Sequence, residues 1–260
     1  MMHEILQKSY IGAYNIKKHK IFLLVNTLIN IAYSCKNYFS DEWKATYGAF
    51  LQNEHLSVLA RNVYALYEND FEKFHGKPNF DEEIIPNLPK VFSVFKEQFK
   101  ILKKYDFETN KLTRNAFASA VEGTSFTNLL ILLGQRLTSA SIQDERAIPP
   151  LRNELLQCSF KAHNNQISKA VRAWEKHAQR STESFWGTIK GSTDHKEYSV
   201  KLLIEHILAH KTWWNVFTHY KHEIVYEARI ASGHGIRWKM ENLELIGFLE
   251  PFENYNHDRI

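Results

Sequence analysis

The sequence predicts an α+β protein, mostly helical, with a C-terminal three-stranded antiparallel β-meander packed on the helices. Three observations predict it. Hydrophobic residues make up 44% and charged residues 24% of the 260 residues, a globular balance with enough apolar material for a sizeable core. Apolar residues recur three and four apart through most of the chain, the spacing of one helix face. Beyond Glu223 the period falls to two, as in a strand whose faces differ.

The N-terminal elements read as helices. Ser40 is a candidate N-cap, and Asp41 and Glu42 behind it suit the positive end of a helix dipole. Asn53 is a second candidate cap, followed by Leu56, Leu59, Val63, Leu66 and Tyr67 at helical spacing. Residues 76–89 hold three of the six prolines and an acidic run. They read as a linker or long connection between a helical region, 1–75, and the remainder, 90–260, and the two regions can equally be one domain.

From Lys90, the residues Val91, Phe92, Phe95, Phe99 and Leu102 line one face. Thr109 is a candidate cap for a helix ending at Gly123, and Ser125 for the next. That helix centres on the apolar run Leu129 to Leu133, the expected middle of the core. Pro149 and Pro150 suit the start of a helix running towards Gln179, with a break at Asn164 and Asn165. Residues 181–194 read as a loop with Phe185 and Trp186 tucked back onto the core. A further helix starts near Asp194 and carries Val200, Leu203, Ile204, Ile207 and Leu208. Its pattern continues or restarts through Trp213, Trp214, Val216, Phe217 and Tyr220.

The meander follows. Ile224, Tyr226, Ala228 and Ile230 alternate with Glu223, Val225, Glu227 and Arg229. Gly233 and Gly235 mark the turn, Ile236, Trp238 and Met240 alternate with Arg237 and Lys239, and Leu243 to Leu249 supplies a third strand. This register turns Ile224, Tyr226, Ile236 and Trp238 towards the helices. A sheet this small is marginal unless it lies on other elements.

The formal net charge of +4 permits an anionic partner without requiring one. Cys35 and Cys158 make no zinc spacing and no disulfide framework, and both sit in apolar helical patterns. The N-terminus has no secretory layout, and the apolar run Ile21 to Ile31 falls below the roughly 20 residues of a membrane span. The expected location is therefore cytoplasmic.

Three constellations can carry chemistry. His206 and His210 lie four apart on a predicted helix and His219 and His222 three apart, so two imidazole pairs can bind a transition metal such as zinc. Ile207 follows His206, so the catalytic zinc signature with Glu in that place is absent. Arg172 and His177 are separated by four residues on one helix. That spacing resembles the Arg-x4-His element of HEPN-type ribonucleases, which are helical and cut RNA without metal. The resemblance rests on these two residues and implies a catalytic role for both, and the β-meander departs from that family's all-helical fold. The arginine would stabilise charge on the phosphoryl group and the histidine would move the proton. Third, Arg229, Arg237 and Lys239 alternate onto one face of adjoining strands beside His234 in the glycine turn, which suits an exposed anion-binding surface.

No phosphate-binding glycine loop, GxSxG elbow or nucleotide fingerprint is present. The first expectation is an intracellular module that binds an anionic partner, nucleic acid foremost, through the C-terminal half. The alternatives are a phosphodiesterase or nuclease, using the histidine cluster with a metal or the Arg/His pair without one, and a protein–protein adaptor.

Overall fold

The structure is a computed structural model, and it describes residues 21–68, 74, 76, 78–181, 184–220 and 223–252. It divides into two compact units: Met1–Gly76 with Asn87–Leu133, and Lys77–Pro86 with Gly134–Ile260. It is α+β, as the periodicity predicts. No described helix is long and apolar enough to cross a membrane.

The first unit is helical. Residues 21–34 form α1, followed by α2 (Asp41–Tyr47), α3 (Asn53–Tyr67), the short α4 (Leu88–Val91), α5 (Ser93–Lys104), α6 (Lys111–Gly123) and α7 (Phe126–Leu132). Ser40 and Ser125 cap α2 and α7, accepting from the backbone N–H of Trp43 and Asn128. Two expected caps are displaced by one residue. Asn53 is the first helical residue of α3. Asn110, not Thr109, caps α6, because Asn110 has Thr113 three positions on to close a capping box. Leu129 to Leu133 is buried against a core that includes Leu59, Phe95, Phe99 and Phe117. Cys35 lies in this core, and burial pushes its thiol up to about 12, so it is no nucleophile at neutral pH.

The second unit stacks three helices on a sheet. The helices are α8 (Arg152–Ser159), α9 (Lys169–Ala178) and α10 (Thr193–Ala209). The break between α8 and α9 falls over Asn164 and Asn165, whose polar side chains favour turns over helix interiors. Ser168 and Ser192 cap α9 and α10. The sheet is an antiparallel meander of four strands, β1 (Lys211–Thr218), β2 (Ile224–Ile230), β3 (Gly235–Lys239) and β4 (Leu245–Leu249), in sequence order. The expected sheet has three strands; β1 is the addition, formed by residues read as helix. Trp213, Trp214, Asn215 and Val216 are all buried, so no polar–apolar alternation betrays the strand.

Cross-strand pairing sorts the sheet into two faces. Tyr226 pairs with Val216 and Trp238, and Ala228 with Trp214 and Ile236. These residues pack towards the helices: Trp238 is buried and its indole N–H donates to Ser159 Oγ on α8 at 2.9 Å, α10 packs on β2 and β3, and α9 on β4. The expected register holds, with Ile224 half-buried at the strand end. The opposite face carries Asn215, Glu227 and Arg237 in one row and Trp213, Arg229 and Gly235 in the next. It is covered too. Arg136 N–H donates to Trp214 O and Ile142 N–H to Val216 O, so the chain from Gln135 to Ile142 runs along the free edge of β1. Residues 78–86 belong to the same unit: Glu83 forms a buried ion pair with Arg136, Ile84 bridges Leu137, and Phe80 packs on Trp213 and Phe252.

Candidate active site

Four pieces of the second unit converge on the carboxylate of Glu250, which directly follows β4. The first is the last turn of α9. The helix buries Ala170, Val171 and Trp174, and this face orients His177 sideways to it. The second is the 3-10 turn Ser184–Trp186, pinned because the Trp174 indole N–H donates to Trp186 O at 2.8 Å. The third is the β2–β3 hairpin with His234, and the fourth is Ser181 beyond α9.

The Trp186 indole N–H donates to Glu250 Oε1 at 2.8 Å, and His177 Nε2 lies 3.0 Å from the same oxygen. His234 Nε2 stands 3.7 Å from Oε2, which is buried and has no hydrogen-bond partner among the described residues. Burial alone would raise the Glu250 pKa. Hydrogen bonds from Ser181 and Trp186, with the His177 imidazole beside it, outweigh that and hold the carboxyl below its usual value. The two rings are fixed by aromatic neighbours. His177 meets Trp186 edge-on at 4.5 Å, and His234 stacks on Phe185 at 3.9 Å, with Ser232 Oγ 2.9 Å from its Nδ1. His177 keeps 22% of its side chain exposed, whereas His234 keeps 8%. His177 is thus the ring open to an incoming molecule.

The hairpin that presents His234 is held by Arg229. Its Nη1 donates to Gly233 O at 2.6 Å and to Glu250 O at 2.7 Å, tying the turn to the segment that carries the carboxylate. Gly233 has φ 86°, a conformation that glycine adopts without strain. Gly235 is needed for space: a Cβ there would sit 2.5 Å from Arg229 Cγ and 2.6 Å from Ala228 O. Glu227 accepts from Arg229 Nε at 2.5 Å and from Arg237 Nη2 at 2.5 Å, and Arg229 also lies 3.8 Å over the Phe252 ring.

The sequence-derived candidates fall out as follows. His177 and His234, assigned to separate constellations, come together. Arg172 stands on the same helix as His177, but five residues turn the helix through about 140°, and Arg172 is exposed on another side. Arg229, His234, Arg237 and Lys239 do not make an exposed anion-binding surface. Arg229 and His234 are buried, Arg237 is paired with Glu227, and Lys239 faces Glu223 at 3.4 Å and Glu244 at 3.9 Å. The physical reason is that alternation separates two faces of a strand without saying that either is wet.

The helix expected to carry His219 and His222 is absent: His219 stands just past β1, its N–H donating to Glu223 O, and His222 lies outside the described residues. His206 and His210 have ring centroids 4.4 Å apart at the exposed end of α10. Among the described residues, no three His, Cys, Asp or Glu side chains are grouped so as to hold a metal ion. Sequence reasoning missed Glu250, Ser181 and the ring contacts of Phe185 and Trp186. Only the aromatic pair left a signal, as two large apolar residues inside a polar loop.

Residues 157–250, from α8 through Glu250, match the model of the CdiA C-terminal tRNase toxin domain. The match covers little more than a third of the chain and includes every residue of the cluster. The likeness is to a domain that acts on nucleic acid. No curated protein and no solved structure matches the chain.

Proposed function

We propose that residues 157–250 cleave RNA by general acid–base catalysis at His177, His234 and Glu250, with transfer RNA as the substrate class. The observation that carries this reading is two imidazoles meeting on one carboxylate, inside the stretch that is similar to a tRNase toxin domain. RNA supplies its own nucleophile, the 2′-hydroxyl next to each phosphodiester. A positioned base that removes the 2′ proton and an acid that protonates the departing 5′ oxygen each accelerate such a step by about 10²–10⁴-fold. The more open His177 is the base. Glu250, bonded to His177 Nε2, fixes the ring's tautomer and orientation. His234 supplies the proton to the leaving oxygen. The 2′ oxygen bonds to phosphorus as the 5′ oxygen departs, leaving a 2′,3′-cyclic phosphate and a 5′-hydroxyl.

The test is cleavage of a purified transfer RNA pool resolved on a denaturing gel, with end-group analysis. The expected result is cleavage with cyclic-phosphate ends that persists in EDTA, spares DNA, and falls at least about 100-fold in His177→Ala and in His234→Ala. Tryptophan fluorescence of each variant checks that the second unit is folded. Intact transfer RNA with the unmodified protein, or full activity in folded His177→Ala, overturns the reading.

A further inference from the structure

Helix α9 carries basic residues in excess of what its fold uses. Lys169, Arg172, Lys176 and Arg180 recur at intervals of three and four, so they share one side of the helix, away from buried Val171 and Trp174. Gln179 keeps helical backbone angles, which continues the row to Arg180. Lys169 is tied to Glu244 at 2.5 Å, and the helix's own acid, Glu175, is turned to Lys196 at 2.8 Å. Arg172, Lys176 and Arg180 are exposed and carry no ion pair among the described residues. From Arg172 to Arg180 is eight residue steps, about 12 Å at the rise of an α-helix. The row ends next to the site, because Arg180 follows His177 by three residues and its N–H donates to His177 O at 3.0 Å.

We infer that Arg172, Lys176 and Arg180 form a track for the phosphate backbone of an RNA substrate, delivering it to His177. The inference rests on the ribonuclease reading above, because it is the substrate's chemistry that the track fits. Two unpaired cations on α9 and a third in the turn just beyond it, in line, complement a polyanion of regular charge spacing. Such contacts set register and affinity and carry no base preference. Arg172 thus acts as a positioning residue outside the reacting atoms, and its role differs from that of His177 on the same helix. Each neutralised phosphate releases counterions, so the track should appear in the salt dependence of binding.

The experiment measures binding of a fluorescently labelled, fully 2′-O-methylated RNA strand by anisotropy over a range of salt. That strand lacks the nucleophile, so binding is read apart from cleavage. The triple variant Arg172→Gln, Lys176→Gln, Arg180→Gln should lower the slope of log affinity against log salt by about 2. Arg172→Lys with Arg180→Lys should keep the slope, which separates charge from fold. The triple variant should also raise KM for transfer RNA and leave kcat at saturation near the unmodified value. An unchanged slope in the triple variant overturns the track whether or not the protein cleaves RNA. An equal loss in a control with exposed Lys161, Lys190 and Lys201 changed to Gln also overturns it, since the effect would then belong to net charge. Failure of the ribonuclease reading is distinguished by absent cleavage with an intact slope difference.

Discussion

Removing the Glu227 carboxylate tests whether the polar face of the sheet is structural core. Glu227 has 1% of its side chain exposed and holds two guanidiniums, Arg229 on Oε1 and Arg237 on Oε2. Glu227→Ala leaves Arg229, 5% exposed, without its counter-charge. Removing one partner of a buried pair costs about 3–5 kcal/mol, most of it the penalty of the stranded charge. Arg229 still donates to Gly233 O and Glu250 O, which offsets part of that penalty and puts the expected loss near the lower end. Lys239→Ala is the contrast. Lys239 is one-third exposed and 3.4 Å from Glu223, so its removal should cost about 0–1 kcal/mol. Urea unfolding at neutral pH followed by tryptophan fluorescence gives both numbers, because every tryptophan except Trp43 lies in the second unit. A loss below about 1 kcal/mol in Glu227→Ala, or one equal to that in Lys239→Ala, would refute the reasoning, since a stranded buried guanidinium must cost more than an exposed ammonium.

Glu250→Gln should lose stability at neutral pH relative to the unmodified protein, and the gap should close under acid. The folded carboxyl lies below its ordinary 4.5, so its stabilisation is present above that value and is lost as the pH falls through the folded pKa. Urea midpoints measured downwards from pH 7 check this, and a gap that persists or widens at the acid end contradicts it. Gly235→Ala should lower the thermal midpoint by the equivalent of about 1–3 kcal/mol, because its Cβ meets the Ala228 carbonyl, which is backbone and cannot swing aside. Gly247→Ala, where nothing lies within 4 Å of the added Cβ, should not lower it.

The helices were legible because each presents one dry face. Leu56, Leu59, Val63 and Leu66 on α3, and Val200, Ile204, Ile207 and Leu208 on α10, are buried as their spacing requires. Caps were legible to within a residue, and the choice between Thr109 and Asn110 turned on the partner three positions later. Strand β1 was not legible for the opposite reason. The run from Trp213 to Val216 is dry on both sides, and with Trp213, Trp214 and Val216 falling on both faces around the buried Asn215 it has no period of two to read. A helix ending at Ala209 with aromatic residues behind it then looks like a longer helix. The tiebreaker was composition, since two tryptophans, a valine and a phenylalanine within five residues favour a pleated surface over a helix.

The site was half legible, and the missing half depends on chain segments far apart in sequence. In the sequence His177 stands out by its spacing from Arg172, yet what defines it is Glu250, 73 residues away, held by an indole 64 residues from that carboxylate. No local pattern encodes that meeting. The basic face of the hairpin is different, because its true role was present in the sequence. A turn bracketed by Gly233 and Gly235 sets Glu227 across from Arg237, and Glu227 also lies two residues from Arg229 on the same strand face. One acid between two arginines is a self-contained network, which needs no ligand to balance it and tolerates burial better than lone charges do. The one acid of α9, Glu175, stands three residues from Arg172 but is engaged by Lys196 at 2.8 Å. The distinction between a cation that folds the protein and one left for a partner thus lies in whether a nearby carboxylate is bonded to it or already taken by another cation.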